Sequence, residues 1–144
     1  MNGFLLDTNI PSELMCPLPE PRVVAWLESA YDERLYFSVV SLGEIVKGVS
    51  LLPPGRKRDE LEKWLEMTLL PWFGSRILPV DEVVARRWGT LSAWSQRKGR
   101  KLKVADGLIA ATALVHGLNV VTRNVKDFAA LVRVYNPWDD VTSE

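Results

Sequence analysis

Short apolar runs alternate along this chain with longer segments in which apolar residues recur every three or four positions. Short runs are typical of buried strands, and the periodic segments are typical of amphipathic helices. The strand candidates are 4–6, 35–37, 77–78, 119–121 and 132–135. The helix candidates are 10–15, 21–31, 41–51, 56–72, 81–98 and 104–116. This alternation predicts an α/β fold, in which a mostly parallel central sheet of about four to five strands is flanked by helices on both faces.

Length and composition are typical of one folded domain. With 144 residues, 47% of them hydrophobic, the chain is long enough to bury a core without disulfide or metal cross-links. Proline-rich stretches at 17–21 and 53–55 interrupt the helical pattern, but the composition does not change across either of them. Such breakers indicate turns between helices. We therefore expect residues 1–144 to form a single domain.

Cysteine and histidine are nearly absent. Cys16 is the only cysteine, which excludes an internal disulfide and fits a reducing compartment. No export signal and no apolar run of membrane-spanning length is visible, so we predict a cytoplasmic protein that does not contact the membrane. His116 is the only histidine, which argues against a zinc site built from histidine and cysteine and against a histidine-based triad. Because it precedes Gly117 at the end of an apolar helix, we interpret His116 as a helix C-terminal residue.

The charges balance overall but not locally. Lysine plus arginine (18) equals aspartate plus glutamate (18), so no net field attracts a polyanion. Between residues 76 and 103, however, eight basic residues accompany two acidic ones, which gives a local net charge of +6. Any binding of a polyanion is therefore expected to depend on this segment.

Four polar clusters follow apolar segments that are far apart in sequence. In open parallel sheets the ligand crevice lies outside the carboxyl ends of the strands, where such clusters converge. Carboxylates that meet in one crevice stay ionised together only when a cation neutralises them, and oxygen ligands favour magnesium or manganese. The clusters are Asp7-Thr8-Asn9, Glu44, Asp106 and Thr122-Arg123-Asn124.

Each carboxylate also has a structural explanation. Ser41 and Glu44 have the spacing of a helix capping box. Asp106 lies in the first turn of a predicted helix, where a carboxylate complements the macrodipole, and Asp7 is placed to cap the helix that begins near Ile10. Their joint placement after separate strands favours the functional interpretation over these three separate ones.

Four ordered motifs resemble those of the PIN-domain family over nearly the whole chain. The similarity extends to the VapC-type toxins of bacterial toxin-antitoxin modules, within the FitB-like branch that carries a "TRN" variant of the last motif. The motifs are Leu5-Leu6-Asp7-Thr8-Asn9, Ser38-Val39-Val40-Ser41-Leu42-Gly43-Glu44-Ile45, Ala105-Asp106-Gly107-Leu108-Ile109-Ala110-Ala111-Thr112-Ala113 and Val121-Thr122-Arg123-Asn124-Val125-Lys126-Asp127-Phe128.

The resemblance implies an endoribonuclease that depends on Mg²⁺ or Mn²⁺. Asp7, Glu44 and Asp106 match the family's three principal acidic positions around the metal. Asn124 stands where the family often has a fourth acid, and its amide oxygen carries no charge. Asp127 can replace that charge as a metal ligand, although a turn role beside a core residue Phe128 is slightly favoured. Three further residues are interpreted as orienting the carboxylates or water: Thr8, Asn9 and Thr122.

The resemblance also implies partners: an RNA substrate, a cognate antitoxin, a second copy in a homodimer, and promoter DNA reached only through the antitoxin. An apolar set at 51–52, Leu61, Trp64, Leu65 and Leu69 suits a groove for a partner helix. The six tryptophans, at 26, 64, 72, 88, 94 and 138, are interpreted as packing residues. The candidates for contact with RNA phosphates are Arg97, Lys98, Arg100, Lys101, Lys103 and Arg123.

Other functions fit the residues less well. Asp7-Thr8-Asn9 after a first strand is similar to the motif of haloacid-dehalogenase phosphatases, which needs a second aspartate at Asn9. A receiver domain would pair Asp7 with another acid, and a nucleotide-binding module would have a glycine-rich phosphate loop after a strand. A PIN-like protein without activity, which only binds RNA or an antitoxin, stays open because Asn124 is not acidic.

Overall fold

A five-stranded sheet forms the centre of the molecule, and all of its strands run parallel. The structure is a computed structural model that describes residues 3–139. The strand order is β3-β2-β1-β4-β5, so the first strand in sequence lies in the middle. The strands are β1 (Phe4–Leu6), β2 (Leu35–Ser38), β3 (Ile77–Leu78), β4 (Asn119–Val121) and β5 (Val134–Tyr135).

Eight α-helices accompany the sheet within residues 3–139. They are α1 (Asn9–Leu14), α2 (Pro21–Ser29), α3 (Val39–Ser50), α4 (Arg56–Trp64), α5 (Leu70–Phe73), α6 (Glu82–Arg97), α7 (Val104–His116) and α8 (Val125–Phe128). A π-helical turn at Leu65–Leu69 joins α4 to α5, and 3₁₀ turns lie at Asp32–Arg34, Gly74–Arg76 and Pro137–Asp139. The predicted α/β architecture is confirmed, and the sheet is parallel throughout.

The central strand β1 shows why both faces of the sheet are covered. Leu5 packs into one apolar cluster with residues of α7 and α8, including Ile109 and Phe128. Leu6 points to the opposite face and packs into a second cluster that contains Ile10 and Phe73. Both leucines are fully buried. A strand that is apolar on both faces is typical of a parallel sheet between two helical layers.

The register of the sheet sets the position of the polar residues. Leu6, the last residue of β1, is paired with Phe37 on one side and with Val121 on the other. The residues that follow these pairs therefore leave the sheet at the same edge. Asp7 and Thr122 occupy two of these positions.

Two predicted helices differ from the observed ones for local reasons. The helix predicted at 41–51 begins at Val39, because the hydroxyl of Ser38 caps it by accepting a hydrogen bond from the Val40 N–H at 3.0 Å. The capping-box interpretation of Ser41 and Glu44 is therefore wrong. The helix predicted at 56–72 is interrupted by the π-helical turn, which precedes Pro71. A proline inside a helix has no N–H to donate and its ring crowds the preceding turn, so a wider turn accommodates it.

Smaller differences occur at other ends. The helix predicted at 21–31 stops at Ser29, since Ala30 has an extended backbone. The strand predicted at 132–135 is reduced to Val134–Tyr135, although Val132 is buried in the core. The short helix α8 was not predicted.

The apolar set that suggested a groove for a partner helix mostly belongs to the chain's own core. Leu65 and Leu69 are buried, and Leu61 and Trp64 pack against them. Leu51 alone of the named leucines is largely exposed, at 74%. Leu65 and Leu69 are therefore not available to line such a groove, and a groove along the rest of the set stays a prediction.

Several remaining predictions about single residues are confirmed. His116 lies exposed in the last turn of α7, and Gly117 follows it in the left-handed conformation with φ of 67°. Trp138 is buried, and Trp26 and Trp72 pack against the same core cluster. Within residues 3–139, no helix has the length and apolar character needed to cross a membrane.

Candidate functional site

Asp7 is a buried carboxylate at the end of the central strand. Only 6% of the residue is exposed. Its Oδ1 accepts the Thr8 N–H at 2.8 Å, and its Oδ2 accepts the Thr122 hydroxyl at 2.8 Å and the Asn9 amide at 3.4 Å. The N-cap of α1 is Thr8, and the Ile10 N–H bonds to the backbone oxygen of Asp7. The Asp7 carboxylate therefore does not cap α1, and the capping interpretation of Asp7 is wrong.

Glu44, on α3, lies at the same edge of the sheet as Asp7. It is the sixth residue of α3, and its Oε1 accepts a short hydrogen bond from the hydroxyl of Thr8. Ser41, the residue expected to cap with it, is buried inside α3, and its hydroxyl has no hydrogen-bond partner among residues 3–139. The Thr8 contact orients the Glu44 carboxylate toward the end of β1.

Asp106 lies in the first turn of α7, as predicted. No hydrogen bond to its carboxylate occurs within the described part of the chain. Burial and, to a lesser extent, the carboxylates of Asp127 and Asp7 together raise its pKa to about 6, against the opposing effect of the Lys103 ammonium. Asp106 is therefore under electrostatic strain that a nearby cation would relieve.

Asn124 and Asp127 lie beside Asp7 and Asp106, at the start of α8 and within it. Asn124 is the N-cap residue of α8, and its backbone N–H donates to the Thr122 hydroxyl at 2.9 Å. Asp127 raises the pKa of both Asp7 and Asp106. Phe128 is fully buried, as expected of a core anchor. The turn role that was favoured for Asp127 is thus incomplete, because its carboxylate also faces the other acids.

These side chains line one open cleft of about 430 Å³ at the carboxyl edge of the sheet. Ser12 also lines it and was missed, although it follows Thr8 by four positions on α1 and so shares its face. Arg123, in contrast, is not among the residues that line the cleft, because its guanidinium lies over the Trp138 ring at 5.2 Å. The predicted site residues that line the cleft are Asp7, Thr8, Asn9, Glu44, Lys103, Asp106, Asn124 and Asp127.

The electrostatics of this acidic cleft favour a bound cation. Burial raises the pKa of Asp7, and Glu44 and Asp127 raise it further, while the hydrogen bonds from Thr122 and Thr8 act in the opposite direction. Lys103 is the one basic residue among those that line the cleft within residues 3–139. Four carboxylates and one ammonium leave an excess of negative charge.

The donor set fits a hard divalent ion that keeps part of its water shell. Within the described residues, no three acidic, histidine or cysteine side chains stand close enough to form a ready-made metal cage. Mg²⁺ commonly binds through one or two carboxylates and retains several waters, so a closed cage is not required. Asp7 and Asp106 are the carboxylates whose raised pKa would be relieved most directly.

A group of basic residues lies on one side of the acidic cleft. Arg100, Lys101 and Lys103 lie in the segment between α6 and α7 and line a smaller notch next to the cleft. Lys126, which was not predicted, lines the same notch from α8. Lys98 is placed over the ring of Trp94 at 5.7 Å. These cations lie within one surface region beside the carboxylates.

The chain is similar to known proteins over nearly its whole length. The family model of the PIN domain matches residues 4–133. Toxin FitB of Neisseria gonorrhoeae is 46% identical over 138 residues, which cover 95% of this chain and 99% of that protein. VapC ribonuclease Y4jK of Sinorhizobium fredii is 38% identical over 137 residues, 94% of this chain and 98% of its own length. A solved structure of FitAB bound to an IR36 DNA fragment superposes with a TM-score of 0.88 at 44% identity, covering 94% of this chain and 95% of that one.

Proposed function

The chain belongs to the PIN-domain family, and on this premise we propose that it is a metal-dependent endoribonuclease that acts as the toxin of a toxin-antitoxin module. The observation that carries the proposal is the convergence of four carboxylates, from β1, α3, α7 and α8, in one cleft at the carboxyl edge of the sheet. The names of the relatives, a toxin and a ribonuclease, support it.

Asp7 and Asp106 are proposed as direct ligands of Mg²⁺ or Mn²⁺. When bound, the ion lowers the pKa of coordinated water and screens the charge of the phosphodiester against the carboxylates. Glu44 would act as a further ligand of the ion or as a base for a water molecule in the cleft. Asn124 would orient a water molecule or bind the ion from outside, and Asp127 would add the charge that Asn124 lacks.

Neutral side chains hold these carboxylates in position. The Thr122 hydroxyl and the Asn9 amide orient Asp7, and the Thr8 hydroxyl orients Glu44. Such outer contacts fix the direction of the ligand lone pairs and commonly affect metal affinity by 10–100-fold. No histidine is required, since His116 lies exposed at the far end of α7.

The partners follow from the same proposal. RNA is the substrate, a cognate antitoxin is the inhibitor, and promoter DNA is bound through the antitoxin. The relative whose structure contains a DNA fragment supports the last of these. A homodimer and a cytoplasmic location complete the proposal.

A second candidate function rests on Asn124. An acid at this position would add a fifth negative side chain to the cleft, and here an exposed amide takes its place. A protein that binds RNA or an antitoxin without turnover is therefore the alternative. It predicts RNA binding that is insensitive to added metal.

The test is cleavage of a mixed RNA pool by the purified protein, free of antitoxin, with Mg²⁺ or Mn²⁺ and with EDTA. Asp7→Asn and Asp106→Asn should abolish cleavage, and Asp59→Asn, on the exposed surface of α4, serves as the matched control. Metal-dependent cleavage that only the cleft variants lose supports the nuclease. RNA binding without cleavage by folded wild-type protein supports the binding module instead.

A further inference from the structure

A notch beside the acidic cleft has the properties of a binding place for a single nucleotide. It lies between the C-terminal part of α6, the segment 98–103 and α8, and we call it the basic notch. It shares Lys103, Asp106 and Asp127 with the acidic cleft, so the two form one continuous depression. Any strand that crosses the cleft on this side must pass over the notch.

Within residues 3–139, no cation that lines the basic notch forms an ion pair at 4 Å or less. Ion pairs within 4 Å among residues 3–139 involve the basic residues Arg22, Arg58 and Arg86, all elsewhere on the surface. Unpaired cations around a concave surface are available for phosphate oxygens. The four cations that line the notch are Arg100, Lys101, Lys103 and Lys126.

Part of the notch wall, beside the charged residues, is apolar and includes an aromatic ring. Trp94 is half-buried there, and Leu102 and Leu131 lie around it. The cavity measures about 130 Å³. Pockets for small molecules usually span roughly 300–1,000 Å³, so the notch is too small for a whole cofactor and suits one flat group. Lys98 lies over the Trp94 ring and adds positive charge to this wall.

We propose that the basic notch binds the nucleotide next to the scissile phosphate of a single-stranded RNA. Its base packs against Trp94 and Leu131, and the phosphates on either side contact Lys103 and Lys126. The proposal rests on the nuclease function proposed above. A base can enter only when it is unpaired, because stacking on a protein side chain requires it to leave a duplex. The notch therefore selects unpaired RNA and influences which phosphodiester is cut.

RNA explains the combination of features better than an acidic peptide does. A peptide carboxylate would meet the same cations, but it would gain nothing from an aromatic wall that suits a planar base. The notch also opens onto Asp106 and Asp127, where the reacting phosphate would lie.

Two substitutions with conservative partners test the proposal. Binding of a fluorescein-labelled single-stranded RNA is measured by anisotropy in EDTA over a series of salt concentrations, so that cleavage does not interfere. Trp94→Leu should weaken binding by roughly fivefold or more, and Trp94→Phe should restore most of it. Lys126→Gln should make the slope of log K against the logarithm of the salt concentration less steep by about 0.7, and Lys126→Arg should leave this slope unchanged. Lys57→Ala, on α4, is the charge control.

The second measurement is the distribution of cut sites in the RNA pool with metal present. Trp94→Leu should shift this distribution, whereas Lys57→Ala should not. If wild-type protein cuts RNA but both notch variants match it in affinity, salt dependence and cut sites, the notch proposal is wrong and the nuclease stands. If wild-type protein neither binds nor cuts RNA, both proposals are wrong. A different outcome is that poly-glutamate displaces the labelled RNA from the wild-type protein but not from the notch variants. That result would assign the notch to an acidic peptide and overturn the proposal.

Discussion

The hydroxyl of Thr122 donates a 2.8 Å hydrogen bond to Oδ2 of Asp7, across 115 positions of the chain. Thr122 is fully buried, and the same hydroxyl accepts hydrogen bonds from the Asn124 N–H at 2.9 Å and from the Asn9 amide at 3.3 Å. One oxygen thus joins the ends of β1 and β4 to the start of α1 and to the turn that carries Asn124. This arrangement holds the Asp7 carboxylate in a fixed direction.

Thr122→Val should therefore weaken both folding and metal binding. The substitution keeps the shape but leaves the Asn124 N–H without its acceptor and the buried Asp7 Oδ2 with the Asn9 amide as its remaining side-chain donor, which costs about 1–3 kcal/mol of unfolding free energy. The affinity for Mn²⁺ should fall about 10–100-fold. Urea unfolding and calorimetric titration measure the two effects. Thr122→Ser retains the hydroxyl and should stay near wild type, and equal behaviour of the two variants would refute this role for the hydroxyl.

Asp106→Asn should stabilise the metal-free protein at neutral pH. The folded pKa of Asp106 is raised to about 6 from an ordinary value of 3.8, so between these values the folded state binds more protons than the unfolded state. The free energy of unfolding then decreases as the pH rises through this window. Because Asp106 is only partly buried, the effect is on the order of 1 kcal/mol.

Thermal unfolding in EDTA measures this effect at two pH values. Asp106→Asn should melt above wild type at pH 7.5, and the difference should shrink at pH 4.5, where the wild-type carboxyl is mostly protonated. Asp59→Asn should show no such pattern. A variant that melts below wild type at pH 7.5 would mean that Asp106 already has a compensating partner.

Added Mn²⁺ should raise the melting temperature of the wild-type protein. At a concentration 100 times the dissociation constant, a ligand that binds only the folded state adds about 2.7 kcal/mol, or roughly 5–10 °C for a domain of this size. Asp7→Asn should lose most of the shift, because burial and neighbouring acids already raise the pKa of Asp7 and make its ionised form a strong ligand. An equal shift in both proteins would place the ion elsewhere.

Asn124→Asp tests whether this position faces the same ion. An added charge beside Asp127 should lower the melting temperature in EDTA, because like charges repel. With Mn²⁺ present, the same charge should raise metal affinity several-fold and increase RNA cleavage. If neither the melting temperature nor the metal affinity changes, Asn124 lies too far from the bound ion to act on it.

The sequence was sufficient to predict the fold because the strands are short apolar runs between amphipathic helices. The strand Ile77–Leu78, only two residues long, was predicted with its observed limits. Where the prediction failed, a local contact decided the outcome. The capping hydroxyl of Ser38 moved the start of α3 to Val39, and Pro71 accompanied the break in the predicted helix at 56–72.

The candidate site was predicted in part, since residues after neighbouring parallel strands meet at one edge. Glu44 does not follow a strand directly, and its contact with Thr8 depends on which face of α3 points inward. Asp127 and Lys126 lie on a helix of four residues, too short to show a periodic pattern. Their direction is set by Phe128, which is buried in the core beside them.

The position of the segment 98–103 depends on how α7 packs against α6. This packing gives a last prediction. At Gly107 a Cβ atom would lie 2.8 Å from Cδ1 of Trp88 and 3.0 Å from Cδ2 of Leu102. The Trp88 ring is rigid, so Gly107→Ala should lower the unfolding free energy by about 1–3 kcal/mol through overpacking. At Gly89, in the middle of α6, a Cβ would meet no atom within 4 Å. Gly89→Ala should instead stabilise the protein by about 0.5–1 kcal/mol, because alanine is the better helix former. Urea unfolding of the two variants should therefore give shifts of opposite sign. If both substitutions stabilise the protein, α6 and α7 can separate without cost, and the close contact at Trp88 does not hold Leu102 and the adjoining Lys103 in place.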